Sequence, residues 1–256
     1  MKIKTPYIFL LLSFVVLGVY YPTLFAPLNS VDDGRMVNDL LNVEHITLRE
    51  IFIPGGSGQY YRPLLYLSFV ADKFLWGLEE SFMHLENILL HMINVWLVFG
   101  ITCIVQPTTD NNRKGVAFVA ALLFALHPLN TEAVNWISGR TDVLAGTFVL
   151  FSLLLLLLSL KSDNRFAGFL AAFFYLLGCL AKESAVFLLP GALLIIISRS
   201  ASDEKVQDLS EKSLKSFGAK RFLSLSFLLV PLAYFIFRHF ALRQGDRGIG
   251  LATAQV

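Results

Sequence analysis

Two adjacent carboxylates, Asp32 and Asp33, are the first residues of this chain whose types and spacing suit catalysis. They stand in the segment NSVDDGRMV, directly after an apolar run. Neighbouring carboxylates can raise each other's pKa, which suits a general base, and their oxygens also bind divalent cations. An Asp-Gly dipeptide is equally typical of a solvated turn, so the pair alone leaves both interpretations open.

A second polar group occupies one face of a predicted helix. His84, Asn87 and His91 are spaced i, i+3 and i+7, and Asn94 continues the stripe along an otherwise apolar segment. Residues with this spacing share one helix face, so this polar face must point into the interior of a helix bundle or line a water-filled cavity. Such side chains can orient a substrate, or they can simply hydrogen-bond one helix to another. A zinc site is disfavoured, because helical zinc ligands are usually spaced i, i+4.

Two cations begin predicted helices on the same side as these groups. Arg140 and Lys182 could bind a phosphate or pyrophosphate, the arginine by paired hydrogen bonds and the lysine as a point charge. They could also form local ion pairs, Arg140 with Asp142 or Glu132 and Lys182 with Glu183. The candidate substrate-binding set is Arg62, His84, Asn87, His91, His127, Glu132, Arg140, Asp142, Lys182 and Glu183.

The elements that position these residues are membrane helices. Of the 256 residues 55% are hydrophobic and only 16% are charged, against about 25% charged in soluble domains. The bilayer is the natural solvent for such a chain, and each spanning helix needs about 20 apolar residues. We predict an all-α polytopic bundle, one membrane domain over residues 1–256, with about seven spans near 7–27, 86–105, 115–129, 141–160, 166–181, 183–198 and 221–241.

The charges set the orientation of this bundle. A cytoplasmic N-terminus places 12 of the 21 Lys and Arg residues on the inside, including those of a cytoplasmic loop at 199–221, as the positive-inside rule expects. The outer loop at 28–82 then contains an interfacial helix near 61–76, or alternatively an ordinary soluble loop. With this topology the whole candidate set lies at the outer side. Charges at bilayer depth cost at least about 2.5–3.5 kcal/mol, so they are usually kept for pairing or function.

Five motifs in order resemble a known family. The segment HPLNTEAVNWISGRTDVLAG at 127–146 looks like the signature of the transmembrane and tetratricopeptide-repeat O-mannosyltransferases. YRPL at 61–64, HLENILLH at 84–91, LAKE at 180–183 and the Asp pair fall in the same order as in that family. Asn130 stands where animal members often have His, and no tetratricopeptide repeats are present. Members carry further spans, so the chain resembles an N-terminal fragment of a C-type membrane glycosyltransferase.

The resemblance implies a fold, a reaction and partners. It implies a polyprenyl-phosphate-linked sugar donor, mannose-like, and a protein, glycan or lipid acceptor hydroxyl on the outer or lumenal face. It places the catalytic acid on Asp32 or Asp33 and implies inversion at the anomeric carbon. We expect no required cofactor and no definite metal site, although a divalent cation is possible at the Asp pair. We expect membrane lipids as neighbours. We expect no nucleic-acid partner, since the net charge is only +2.

Two other functions stay open at this point. A transporter of a lipid-linked sugar would need polar residues along the whole path, whereas the cytoplasmic halves, such as Leu153–Leu158, are unbroken apolar runs. The second alternative function is that of a non-catalytic scaffold, which would be a remnant of a longer enzyme. The compact length and the lack of repeats favour a bacterial inner membrane over an endoplasmic reticulum as the location.

Overall fold

The computed structural model describes the backbone of residues 4–28, 31–41, 45–53, 60–106, 112–204 and 211–252. Every regular element in these ranges is helical. The α-helices in chain order are α1 Thr5–Tyr20, α2 Val31–Leu41, α3 Leu48–Phe52, α4 Pro63–Trp76, α5 Glu80–Val105, α6 Arg113–Leu126, α7 Leu129–Asn135, α8 Arg140–Ser162, α9 Arg165–Ala181, α10 Leu188–Glu204 and α11 Glu211–Ala252. Short 3₁₀ helices at Tyr21–Phe25 and Glu183–Phe187 follow α1 and precede α10.

Local sequence signals explain several helix boundaries. A proline stands in the first turn of α1 and of α4, where the missing N–H costs nothing. The Asn164 side chain accepts hydrogen bonds from the first amides of α9, and Glu79 caps α5 in the same way. Gly77 ends α4 in the left-handed conformation at φ 67°, which glycine adopts without strain. These signals separate the outer-loop helices from the long helix α5.

Four helical segments among the described residues are long and apolar enough to cross a membrane. They are Thr5–Phe25, Glu80–Val105, Arg140–Ser162 and Phe222–Arg243. A fifth span is possible if α6 and α7, which meet at a 62° bend, cross together. The chain is therefore an all-α membrane helix bundle, and each of the seven predicted spans coincides with a helix.

The two remaining predicted spans are short. Helix α9 has 17 residues, which is about 26 Å at 1.5 Å per residue, and Glu183–Ser198 is also an apolar helix below spanning length. The count of seven thus stays a prediction. In the hydrophilic segment 199–221, α10 continues to Glu204 and α11 begins at Glu211, so the backbone there is largely helical. Residues 205–210 of that predicted loop lie outside the described residues.

Three hydrophobic clusters hold the bundle together. One joins α1, α5 and α6, and another joins α8, α9, α10 and α11. The third packs the outer-loop helices against the bundle, through Leu40 of α2, Phe69 of α4 and Met83 of α5. This third cluster also contains Ile137, the residue before Ser138-Gly139-Arg140. It therefore holds the outer loop against the segment where the candidate site residues lie.

Candidate active site

Hydrogen bonds between helix termini define the two ends of the bundle, and Arg140 and Lys182 lie next to one such bond. Asn135 accepts a hydrogen bond from Thr23 at 2.7 Å, which joins α7 to the end of the first span. Thr141 donates to the carbonyl of Ala181 at 3.0 Å, which joins the start of α8 to the end of α9. At the opposite end, Lys114 at the start of α6 donates to Thr5 at 3.0 Å. The contacts are those of helices that alternate in direction, as the predicted spans require.

The two aspartates at the start of α2 have different surroundings. Asp33 is 1% exposed, and its Oδ1 accepts from the backbone N–H and the hydroxyl of Ser138, at 3.0 and 2.5 Å. Asp32 is exposed. Both acids lie in the first turn of a helix, where the dipole favours negative charge. The sequence left open which of the two aspartates is catalytic. In the structure Asp33 is anchored to Ser138 and Asp32 is accessible.

The stripe on α5 faces the interior, as its spacing predicts. His84, Asn87, His91 and Asn94 are all buried, and each contacts a backbone carbonyl of another segment. His84 Nε2 lies 3.2 Å from the oxygen of Ala26, and His91 Nε2 lies 3.3 Å from that of Ala125. A ring nitrogen this close to a carbonyl must carry the proton, since the carbonyl can only accept. Interhelical hydrogen bonding, one of the two interpretations left open, describes these contacts.

Asn87 makes the most contacts of the stripe. Its Nδ2 donates to the carbonyl of Trp136 at 2.9 Å and lies 3.4 and 3.5 Å from those of Val134 and Ile137. Its Oδ1 accepts from Arg140 Nε at 3.0 Å. One side chain therefore fixes both the 134–137 backbone and the arginine that follows it.

Arg140 is paired differently from the prediction. Its guanidinium is 0% exposed, and Nη1 lies 2.6 Å from Asp72 Oδ2 and 3.1 Å from Glu86 Oε2. Nη2 donates to the carbonyl of Met83 at 3.0 Å, and the guanidinium carbon lies 4.7 Å from the Phe69 ring centroid. The predicted pairing of Arg140 with Asp142 or Glu132 is wrong, because α4 supplies a buried carboxylate. This burial leaves Arg140 no surface for a phosphate.

Asp72 and Glu86 both contact Arg140 and are not among the site residues predicted from the sequence. Burial raises the pKa of Asp72 to about 7, with Arg140 acting to lower it and Glu86 acting to raise it. Trp76 donates from Nε1 to the second oxygen of Glu86 at 3.0 Å. The sequence contains one signal for Asp72, namely that this acid interrupts the apolar segment 61–76. Its contact with Arg140 joins residues 68 positions apart, and such a contact leaves no local pattern in the sequence.

Two further ion pairs keep part of their surface exposed. Arg62 makes a two-pronged contact with Glu183, Nε to Oε2 at 3.0 Å and Nη2 to Oε1 at 2.6 Å, with the side chains 21% and 33% exposed. This hydrogen bonding raises the pKa of Arg62, against the effect of burial. Lys182 pairs with Asp142 rather than with the predicted Glu183, and these side chains are 23% and 46% exposed. Both cations can reach a ligand.

His127 and Glu132 flank the bend between α6 and α7. Both are exposed, and His127 Nδ1 accepts from the backbone N–H of Leu129 at 3.2 Å. Among the residues described here, no group of three or more His, Cys, Asp or Glu side chains is placed to hold a metal ion. A divalent cation at the Asp pair stays a prediction.

Comparison with known proteins identifies relatives. Human protein O-mannosyl-transferase TMTC1 is 48% identical over 109 residues, 43% of this chain and 11% of that protein. The fruit-fly protein O-mannosyl-transferase Tmtc1 is 35% identical over 181 residues, 69% of this chain and 20% of that protein. Human protein O-mannosyl-transferase TMTC4 is 32% identical over 200 residues, 69% of this chain and 27% of that protein. This chain resembles the membrane part of the protein O-mannosyl-transferases.

The same comparison limits what the resemblance carries. The chain aligns with only about a tenth to a quarter of the length of these relatives. No family model matches the chain. The relatives come from human, mouse, fruit fly and frog, which argues against the bacterial inner membrane that chain length and missing repeats had favoured. The apolar helices and these relatives together make the chain a multi-pass membrane protein.

Proposed function

We propose that this chain forms part of a glycosyltransferase that moves a mannose-like sugar from a polyprenyl-phosphate carrier to a hydroxyl of a protein acceptor on the outer or lumenal face. The observation that carries the proposal is that the Asp pair and a partly exposed cation meet the same end of α8: Asp33 is held by Ser138, two residues before that helix, and Lys182 by Asp142 in its first turn. The relatives are protein O-mannosyl-transferases, which supports mannose as the sugar and a protein as the acceptor. The lipid carrier and the face of the membrane come from the motif resemblance and the charge distribution.

Asp32 is the general base in this proposal. It is exposed at the first turn of α2, so an acceptor hydroxyl can reach it, whereas Asp33 is buried against Ser138. The hydroxyl oxygen attacks the anomeric carbon while its proton moves to the Asp32 carboxylate. The bond between the anomeric carbon and the phosphate oxygen breaks, and the phosphate leaves with the electron pair. Attack opposite to the leaving group inverts the anomeric configuration.

Arg62 and Lys182 stabilise the leaving phosphate in this scheme. Both are cationic and retain exposed surface, and each is held by an acid that fixes its position, Glu183 and Asp142 respectively. Negative charge grows on the leaving oxygen as the bond breaks, so fixed cations favour the transition state over the ground state. Arg140, the other cation predicted to bind the phosphate, takes a supporting role because it is fully buried.

The test is sugar transfer by the full chain in lipid vesicles. Radiolabelled polyprenyl-phosphate mannose and a Ser/Thr-containing peptide serve as substrates, and labelled peptide is measured. Asp32→Asn should reduce kcat by at least about 100-fold, the lower range for loss of a general base. Asp39→Asn, an exposed acid on the same helix, is the matched control and should transfer at the wild-type rate.

Three other outcomes have separate meanings. Equal transfer by Asp32→Asn and wild type contradicts the assignment of the base. Donor binding without turnover favours the non-catalytic scaffold. Movement of labelled donor between leaflets without transfer favours the transporter.

A further inference from the structure

Three charged side chains meet inside the junction between the outer loop and the bundle. Arg140 Nη1 lies within 2.6 Å of Asp72 and 3.1 Å of Glu86, so two carboxylates face one guanidinium. Asp72 and Arg140 are fully buried, and Glu86 is 31% exposed. With both acids ionised, this buried cluster would carry a net negative charge, which is costly away from water.

One proton between the two acids removes that cost. Asp72 Oδ1 is buried and receives no hydrogen bond from any described donor. The Asp72 and Glu86 carboxyl groups both contact Nη1 of Arg140, so the two acids stand side by side at one nitrogen atom. Two ionised carboxylates in this position repel each other, and neither can donate to the other, because an ionised carboxylate only accepts. A proton on either acid supplies the missing donor and leaves one negative charge for Arg140.

Few other charges bear on this cluster. Charged or titratable groups on the elements packed against α4 include Asp33 and Asp39 on α2, Glu50 on α3, His84 and Glu86 on α5 and Arg140 on α8, and Glu183 follows α9. Those that shift the pKa of Asp72 are Arg140 and Glu86. Glu50 is engaged in the capping box of α3, Glu183 holds Arg62, and Asp33 is bonded to Ser138.

The cluster is linked to Asp33, the neighbour of the proposed base, by hydrogen bonds and a short stretch of backbone. Arg140 donates from Nε to Asn87, and Asn87 donates to the carbonyl of Trp136. Two residues later, Ser138 holds Asp33 through its N–H and hydroxyl. A change in the charge balance around Arg140 therefore acts on the segment that anchors α2.

We propose that Asp72 and Glu86 share one proton beside Arg140 and act, through Arg140 and Asn87, as positioning residues that hold the 134–138 segment against the aspartates of α2. The catalytic part of this inference rests on the proposed function, in which Asp32 is the base. The proton-sharing part depends only on the contacts of the three side chains. Neither acid contacts substrate in this assignment.

The first experiment measures stability against pH for the full chain in detergent. An acid whose pKa is raised on folding stabilises the fold when protonated, and this contribution is lost as pH rises from about 4 to about 7. Glu86→Gln removes the second carboxylate, so the pKa of Asp72 falls and the loss of stability shifts to lower pH. Between pH 5 and 8 the variant should therefore gain stability relative to wild type.

The control is Glu80→Gln, the same change six residues earlier on α5. Its stability curve should run parallel to that of wild type. Asp72→Asn provides a second test if Glu86→Gln folds poorly, because it also leaves Arg140 with a single carboxylate. Curves for both variants that run parallel to wild type from pH 5 to 8 would overturn proton sharing.

The second experiment measures transfer across the same pH range. The wild-type kcat should fall above pH 7 as the shared proton is lost, and Glu86→Gln should lose this high-pH fall while KM for the donor stays within about twofold of wild type. An unchanged fall in Glu86→Gln would contradict the positioning role. Absence of transfer by wild type at every pH would instead contradict the proposed function, and the stability curves would still decide proton sharing.

Discussion

Asn87 offers a stringent test of the hydrogen-bond network, because Asn94 is a matched control on the same helix. Asn94 makes one hydrogen bond, to the carbonyl of Val143 at 3.0 Å. Asn87 makes a similar bond to Trp136 and also accepts from the charged Arg140. Both side chains are buried, at 0% and 3% exposure for Asn87 and Asn94, so alanine creates a similar cavity at each position.

The expected magnitudes differ by the arginine contact. Asn94→Ala should lower the free energy of unfolding by about 1 kcal/mol, the net worth of one neutral hydrogen bond, plus the shared cavity cost. Asn87→Ala loses an equivalent bond and also leaves a buried guanidinium N–H without its acceptor, which adds about 1.5–3 kcal/mol. The difference between the two variants should therefore be about 1.5–3 kcal/mol.

The assay is reversible unfolding in mixed micelles, monitored by far-UV circular dichroism over an SDS titration. The two variants are compared with wild type in the same lipid and detergent mixture. Equal destabilisation by Asn87→Ala and Asn94→Ala, within about 0.5 kcal/mol, would show that Arg140 does not depend on Asn87 and would refute the reasoning.

Three further predictions use other parts of the structure. Gly139→Ala should destabilise the fold by more than about 1 kcal/mol, because its Cβ would lie 2.8 Å from the carbonyl oxygen of Trp136. The control is Gly191→Ala, whose Cβ would meet no atom within 4 Å, so this variant should be neutral or stabilising in the same unfolding assay. Arg62→Met should lower kcat by about 100-fold or more by removing charge from the leaving phosphate, and wild-type kcat would contradict that role. Cysteines replacing Glu132 and Lys161 should react with impermeant maleimide from opposite sides of sealed vesicles; labelling from one side would contradict the topology.

The helices could be predicted because their signals are local. The stripe from His84 to Asn94 needed only the helical period, and its burial is confirmed. The predicted spans coincide with helices because apolar runs and turn residues mark them in the sequence. The hydrophilic segment 199–221 was treated as a loop because hydropathy indicates solvation and does not by itself separate a solvated helix from a coil.

The pairing of charges could not be predicted from spacing. Local pairs were expected for Arg140 and Lys182, since neighbours in sequence are the only partners that spacing reveals. The actual partner of Arg140 is Asp72, which is brought to it by the packing of α4 against the bundle through Phe69 and Leu40. The different surroundings of Asp32 and Asp33 depend in the same way on Ser138, 105 residues further along the chain.

The buried pairing of Arg140 also bears on how the protein is assembled during synthesis. Asp72 and Glu86 leave the ribosome before Arg140 does, because they precede it in the chain. An arginine entering the membrane interior without a partner costs about 2.5–3.5 kcal/mol on the insertion scale. The order of the chain therefore makes both partner acids available by the time α8 is inserted, so that Arg140 can be paired as it joins the bundle.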